Sequence, residues 1–306
     1  MPHRPRFERV PPVLGIKLTP RDLEILSQIS RHRFLNSHQI RQLVGGSAQH
    51  VLRRLQRLFH HGYLDRPHAQ IRYFSETGSA PLVYALGPAG ARVLHDPANP
   101  RPRSRHDNRN LKQLYLQHTV LVAEVTLAFQ TACRAPDAPR LLLEDDIAPD
   151  PTARAALHWA VNIRRGAESK RVGVLPDRIL LLQSPATGER TLYFIEADRA
   201  TMPVNRRSLQ QSSLIRKLLA YEATWMQDVP RTRFNCARVR VLIVTSSDER
   251  ATHVAATCAE LKHGRGLFLV TDAATVREHS TSDRRKTIFD LPWLNARGED
   301  ERIALP

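Results

Sequence analysis

The sequence predicts a protein of the α/β (α+β) class with two domains, and three observations support this. Its 306 residues are enough for two domains of ordinary size. Apolar residues recur at helical or strand spacing in two separate parts of the chain. A Pro- and Arg-rich stretch with no apolar periodicity lies between these parts. We therefore divide the chain into a flexible arm (1–18), a first domain (19–95), a linker (96–110), a second domain (111–272) and a C-terminal tail (273–306).

The first domain begins with two predicted helices. Thr19 is a good N-cap residue, and Asp22 lies near the positive end of the helix dipole, so a helix is expected to start here. A second, short helix follows Asn36 and Ser37, and Gly45 breaks it. This short second helix is expected to brace the helix that follows it.

A third helix is predicted from Ser47 to about His61. Val51, Leu52, Leu55, Leu58 and Phe59 follow the 3.6-residue period and form its apolar face. Basic and polar residues occupy much of its other surface, and the helix contains no acidic residue. This composition predicts contact with a polyanion. The candidate DNA-binding residues are Ser47, Gln49, His50, Arg53, Arg54 and Arg57 on this helix, and Arg72 in the loop beyond it.

Two strands, at 63–66 and 82–86, and a short helix from Pro88 complete this domain. Three helices, a two-stranded wing and a closing helix are typical of a winged helix-turn-helix. In such domains the third helix enters the major groove, where Arg and Gln read base edges and flanking Arg residues hold phosphates. A winged helix used for protein contacts is the alternative interpretation.

The charge balance supports nucleic acid as the partner. Lys and Arg number 46 against 30 acidic residues, which gives a net charge of +16. No apolar run is long enough to cross a membrane, and the N-terminus does not have the pattern of a signal peptide. Three cysteines lie far apart, so we expect a cytoplasmic protein with reduced thiols and no zinc finger. The chain also lacks a P-loop motif and the His-x-His pair of the usual relaxases.

The second domain is predicted to alternate helices and strands, as α/β domains do. A polar stretch at 145–174 is expected to be irregular. The predicted helices are 111–134, 208–226 and 249–262, and the predicted strands are 141–144, 177–183, 190–198, 239–245 and 267–270. The tail is expected to pack as a strap across this domain.

Two of these strands form a hairpin that brings carboxylates together. If Gln183 pairs with Arg190, then Asp177 lies opposite Glu196, and side-chain alternation puts Asp198 on the same face. Like charges opposed across strands cost up to ~1 kcal/mol per pair, and a divalent cation would reverse the sign of that interaction. A slip of one residue would separate the acids. Alternatively, the acids pair with the neighbouring arginines 178 and 199.

The sequence P-D at 176–177, an apolar strand and E-A-D at 196–198 resemble the PD-(D/E)XK nuclease core. The resemblance implies a restriction-endonuclease-like fold in which Asp177 and Glu196 bind Mg²⁺ (or Mn²⁺). Asp198 stands where that superfamily usually has Lys, and Lys217 is the candidate for the missing cation. The implied catalytic residues are Asp177, Glu196, Asp198 and Lys217, and the implied metal ligands are Asp177, Glu196, Asp198 and Glu124, with Glu144 in a second place where the superfamily often adds a ligand.

A larger ordered pattern over residues 19–270 resembles the plasmid replication-relaxation protein family. It comprises the winged helix, Leu114, His118 and Glu124 on one helix, P-D-R at 176–178, E-A-D-R-A-T-M-P at 196–203, and Ser212, Ser213 and Lys217. The resemblance implies a role in plasmid replication and mobilisation, with double-stranded DNA and other relaxosome or replication proteins as partners.

Three functions are open from the sequence. The first is a metal-dependent nickase or relaxase-like endonuclease that the winged helix targets to DNA. The second is a non-catalytic replication initiator or regulator with a degenerate nuclease fold. The third is a transcriptional repressor whose second domain dimerises or senses a ligand. In the first case either water or a tyrosine acts as nucleophile, and Tyr193 alternates to the wrong face of its strand.

Overall fold

A computed structural model describes residues 6–10, 14–71, 81–94, 108, 111–150, 155, 157–199, 209–211, 213–281 and 286–306. It confirms the α/β class, with helices and strands mixed along the chain. Contacts divide the chain into two compact units, residues 1–127 and 128–306. The division falls within one long helix, so the first unit extends well beyond the predicted end of the first domain at residue 95.

The first unit contains the predicted helices and one additional strand. The elements are α1 (Pro20–His32), β1 (Phe34–Asn36), α2 (Ser37–Val44), α3 (Ala48–His60), β2 (Leu64–Asp65), β3 (Val83–Leu86), α4 (Pro88–Val93) and α5 (Gln113–Ala132), which continues into the second unit. Thr19 and Asn36 cap α1 and α2 through capping boxes with Asp22 and Gln39. Ser47 is the N-cap residue of α3 but makes no side-chain capping bond.

The strands of this unit form a three-stranded antiparallel sheet in the order β1-β3-β2. The sequence predicted only β2 and β3. Strand β1 has three residues and is too short for a period to show. Its pairing with β3 aligns Phe34 with Ala85. The apolar faces of α1 and α3 pack in one core that includes Leu26, Leu55 and, from α5, Leu127.

Some residues of the predicted arm contact the first unit, whereas others, such as Leu14, are exposed. Arg9 donates hydrogen bonds to the carbonyls of Phe59 (2.9 Å) and Leu64 (3.0 Å). Ile16 and Leu18 pack against the core of the first unit. These contacts hold Arg9, Ile16 and Leu18, and the predicted arm residues 1–5 and 11–13 lie outside the described residues. Of the predicted linker only Asn108 is described, and it is buried.

The second unit contains the remaining elements. They are β4 (Arg140–Leu143), α6 (Glu144–Ile147), β5 (Trp159–Arg165), β6 (Glu168–Val174), β7 (Arg178–Gln183), β8 (Arg190–Asp198), α7 (Leu214–Met226), α8 (Val229–Phe234), β9 (Arg238–Thr245), α9 (Asp248–Ala259), β10 (Phe268–Asp272), α10 (Ala273–Thr281), β11 (Trp293–Asn295) and β12 (Asp300–Glu301). No described helix is both long and apolar enough to span a bilayer.

Seven of these strands form a mixed sheet in the order β12-β11-β10-β9-β8-β7-β4. The three central strands β8, β9 and β10 are parallel, and their flanking neighbours pair antiparallel. This arrangement brings the carboxyl ends of β8 and β9 side by side, which is where open α/β sheets place ligand sites.

Two sequence predictions for this unit were wrong. The stretch expected to be irregular contains the β5–β6 hairpin, in which buried apolar residues alternate with exposed ones. The predicted tail instead supplies α10 and extends the sheet with β11 and β12. Buried Trp293 and Leu291 anchor this extension, and its two strands are too short for a period to show in the sequence.

Candidate nucleic-acid interface and carboxylate site

The outward face of α3 is basic and polar, as predicted. Val51, Leu55, Leu58 and Phe59 form its buried face, whereas Leu52 is exposed among the polar residues of the outward face. Five of the predicted DNA-binding residues are exposed, namely Ser47, Gln49, His50, Arg53 and Arg57. Together they offer hydroxyl, amide, imidazole and guanidinium groups to an outside partner. Arg72 lies outside the described residues.

Arg54 has a different role from the one expected. Its Nε donates to Asp22 Oδ1 at 2.6 Å, and its second nitrogen pairs with the other oxygen of that carboxylate. It also donates to the Lys17 carbonyl at 2.8 Å. Asp22 is completely buried, so Arg54 compensates a charge inside the domain. Sequence spacing could not reveal this, because the partner lies on another helix.

The β7–β8 hairpin has the predicted register. Gln183 pairs with Arg190, and the ladder continues to Arg178 opposite Ile195. Asp177 therefore lies beside the end of β8, where its Oδ2 accepts a hydrogen bond from the Ala197 amide at 2.9 Å. The prediction that Asp177 and Glu196 are neighbours depended on this register and is confirmed by it.

Glu196 is buried at the carboxyl end of β8 and is held from α7. The Lys217 ammonium forms an ion pair with one of its oxygens, and the Tyr221 hydroxyl donates to the other. Lys217 and Tyr221 are four residues apart, so both project from the same face of α7. Helix α7 thus places an ammonium group and a hydroxyl group against the buried carboxylate at the end of β8.

The electrostatics of this site are strongly perturbed. Burial raises the pKa of Glu196 to about 8, Lys217 opposes that rise, and the Asp177 charge adds to it. Burial works against the charge of Lys217, but the carboxylates of Glu196 and Asp177 prevail and raise its pKa. The pKa of Tyr221 is raised well above its ordinary value by burial and by the Glu196 carboxylate. Strong perturbation by burial and charge partners together is typical of functional sites.

Asp198 is bound to a partner that the sequence did not suggest. Its Oδ2 accepts a hydrogen bond from Arg250 Nε at 2.7 Å, and both side chains are largely buried. Arg250 comes from the first turn of α9, beyond the adjacent parallel strand β9.

Two further acids, Glu144 and Glu124, were named as candidate metal ligands. Glu144 pairs with Arg178 at 3.0 Å and accepts the Ile179 amide at 2.7 Å, so it fixes the start of β7. Glu124 lies on the part of α5 that belongs to the first unit. Within the described ranges, no three Asp, Glu, His or Cys side chains form a group that could hold a metal ion.

A cleft of about 230 Å³ opens onto this site. Its walls are the end of β6 with the following Leu175, and Ser213, Arg216 and Lys217 at the start of α7 and its N-cap. Glu196 and Tyr221 line the same cleft. A ligand in it would contact two cations and the buried carboxylate together. The sequence analysis missed the contributions of β6, Arg216 and Tyr221, although the alternation of Trp159, Val161 and Ile163 signalled the hairpin.

The sequence profile of the replication-relaxation family matches residues 26–235. This span covers most of the chain, and the protein therefore belongs to the replication-relaxation family. Membership suggests a role in plasmid replication or mobilisation. No curated protein and no solved structure gives a significant match.

Proposed function

We propose that this protein is a DNA-binding, Mg²⁺-dependent nickase of plasmid replication or mobilisation. The observation that carries the proposal is the position of Lys217 against Glu196, beside Asp177. A buried glutamate, an adjacent aspartate and an ammonium group in one cleft provide the charges that phosphodiester cleavage requires. The replication-relaxation family provides the biological setting.

The first unit is proposed to bind double-stranded DNA as a winged helix-turn-helix. Helix α3 would enter the major groove with Gln49, His50 and Arg53, because an α-helix fits that groove and these side chains are exposed. Arg57 would hold a phosphate one turn further along. The absence of acidic residues from α3 favours this partner over a protein surface.

Two carboxylates are too few to surround a cation by themselves, but they are enough to hold Mg²⁺. Mg²⁺ retains several waters and is usually held by one or two carboxylates together with substrate phosphates. Asp177 and Glu196 would supply those two carboxylates, and the cleft leaves room for a phosphate. When bound, the ion would stabilise charge on the scissile phosphate and make a bound water more acidic. Mn²⁺ prefers the same oxygen ligands.

The side chains of the site have distinct proposed roles. The Lys217 ammonium would stabilise the charge that develops on the phosphate oxygens. Tyr221 is a positioning residue, since its hydroxyl fixes one oxygen of Glu196. Its burial favours water as the nucleophile over a phosphotyrosine step. Asp198 would hold Arg250 at the carboxyl edge of the sheet and not replace the usual lysine.

A nicking assay tests the proposal. The substrate is a supercoiled plasmid carrying the DNA that encodes and flanks this protein, incubated with Mg²⁺ or Mn²⁺. The wild type is expected to convert it to the open circle. The nicking rate of Asp177→Asn is expected to be lower by about 100-fold or more. Asp137→Asn removes an exposed acid of the same unit and serves as the matched control. Equal nicking by wild type and Asp177→Asn would refute the assignment.

A non-catalytic DNA-binding initiator is the second candidate. The ion pair between Asp198 and Arg250 favours it, because an acid with a structural partner occupies the place of the usual lysine. Tight, salt-sensitive binding of the same DNA without any nicking in either metal would support this candidate.

A further inference from the structure

The β5–β6 hairpin is a two-stranded ribbon with two different faces. Seven residues of each strand pair antiparallel, from Trp159 opposite Val174 to Arg165 opposite Glu168. The inward residues are buried in the main core of the second unit, and they are Trp159, Val161, Ile163, Val172 and Val174. This apolar anchoring fixes the orientation of the other face.

The outward residues are all exposed, and we call them the ribbon face: Ala160, Asn162 and Arg164 on β5, and Ser169, Arg171 and Gly173 on β6. Asn162 lies opposite Arg171, and Arg164 lies opposite Ser169. The face therefore combines two guanidinium groups with an amide and a hydroxyl and contains no acid. Neither Arg164 nor Arg171 has an ion-pair partner within the described part of the chain.

The inner end of the ribbon face is flat. Ala160 and Gly173 form one cross-strand pair, so neither strand projects a long side chain there. A Cβ atom added at Gly173 would meet no atom within 4 Å, and its backbone is not left-handed. Neither packing nor backbone conformation therefore explains a glycine in this strand. Glycine inside a strand often marks a place where a ligand or another backbone approaches closely.

The flat end also adjoins the carboxylate site. Gly173 and Leu175 line the same cleft as Glu196 and Lys217. The Lys170 ammonium donates a hydrogen bond to Gln210 Oε1 at 2.8 Å, and the Glu168 carboxylate accepts one from the Leu209 amide at 2.8 Å. These two bonds connect β6 to the segment before α7. A polymer lying on the ribbon face would thus be presented to the cleft.

We propose that the ribbon face seats in the major groove of double-stranded DNA and places one strand at the cleft. A major groove about 12 Å wide admits a two-stranded β-ribbon, and Arg, Asn and Ser are side chains that contact bases and phosphates. The ribbon would be a DNA-binding element in addition to α3. This inference depends on the proposed function, because it assumes that the carboxylate site acts on DNA.

Equilibrium binding of a labelled duplex to the full chain tests the inference, with the duplex taken from the plasmid region used for nicking. Arg164→Ala combined with Arg171→Ala is expected to weaken binding about tenfold or more and to reduce the salt slope by about 2. Arg277→Ala combined with Arg297→Ala removes the same charge from the β10–β11 side of the sheet and should leave the affinity near that of the wild type.

Gly173→Val separates recognition from stability. Valine suits a strand and has open space at this position, so the melting temperature should stay equal or rise. Duplex affinity and nicking should both fall, because the added side chain blocks close approach. The same labelled strand without its complement should show a smaller change, since it has no major groove.

The outcomes separate this inference from the proposed function. Wild-type affinity of both ribbon variants, with binding lost on changing α3, would overturn the inference and leave the nickase proposal intact. If the ribbon variants lost affinity for the single strand but not for the duplex, that result would also overturn the inference. No duplex binding by the wild type at low salt would refute the DNA-binding proposal itself.

Discussion

Asp22 in the first unit and Glu196 in the second are both buried carboxylates paired with a cation from a helix, yet their pKa values move in opposite directions. Burial alone would raise the pKa of Asp22, but hydrogen bonds from Arg54 and Thr19 hold it below its ordinary value. Burial raises the pKa of Glu196 to about 8 despite the Lys217 ammonium, and Asp177 adds to the rise.

The number and kind of partners explain the difference. Asp22 accepts hydrogen bonds from two nitrogens of Arg54 and from the amide and hydroxyl of Thr19. Glu196 has one ammonium, one hydroxyl and a like-charged neighbour. A carboxylate saturated with donors stabilises a fold. One whose charge is incompletely compensated suits a site that gains a further cation or substrate.

The largest expected effect concerns the Asp22–Arg54 pair. Arg54→Ala leaves a buried carboxylate without its cation and should lower the free energy of unfolding by about 3 to 5 kcal/mol. Urea unfolding of the full chain measures this. Adding Asp22→Asn to Arg54→Ala should restore part of the loss, because the neutral amide removes the unpaired charge. An unchanged midpoint for Arg54→Ala would contradict the structural role given to this arginine.

The corresponding change in the second unit should affect activity more than stability. Lys217→Met is expected to slow plasmid nicking by about 100- to 1000-fold, because it removes the ammonium proposed to stabilise charge on the scissile phosphate. Lys262→Met, at an exposed position of the same unit, is the control. Nicking by Lys217→Met at the control rate would mean that the Lys217–Glu196 pair is only structural.

Glu196 should make stability depend on pH. Its folded pKa of about 8 exceeds its ordinary value of 4.5, so the folded chain keeps a proton that the unfolded chain releases between these values. Stability should be greatest below the lower value and fall by about 3 kcal/mol from pH 5 to pH 8. Unfolding measured without divalent cations should show this fall in the wild type and a smaller one in Glu196→Gln. Parallel curves for the two proteins would contradict it.

The smallest effect is expected on α3. Arg53→Ala combined with Arg57→Ala should weaken duplex binding about tenfold without changing the melting temperature, since both side chains are exposed. Arg92→Ala, on α4 of the same unit, controls for loss of basic charge. A lower melting temperature with unchanged binding would give these arginines the role found for Arg54.

Prediction from sequence succeeded where the signal was local. The capping residues Thr19 and Asn36 start α1 and α2 as expected, and strand β8 has the predicted bounds. The hairpin register followed from one assumed pair, Gln183 with Arg190. Because strand alternation has a period of two, that single pair fixed the neighbourhood of Asp177 and Glu196.

Prediction failed where the partner was distant or the signal short. Arg54 and Arg53 are adjacent on α3 and look alike in sequence, yet only Arg54 reaches Asp22 on α1. Asp198 binds Arg250, which is 52 residues away. Strand β1 and the tail strands β11 and β12 have two or three residues each, which is too few for a period to emerge.

The sequence by itself thus determined the α/β class, the basic residues of α3 and the position of Asp177 opposite Glu196 in the hairpin. Periodicity and strand register depend on residues that are close in the chain. Only the tertiary structure decided which charges compensate one another. Burial and distance between helices and strands set those pairings, and they made Asp22 a stabilised anion while leaving Glu196 with a raised pKa at the end of a cleft.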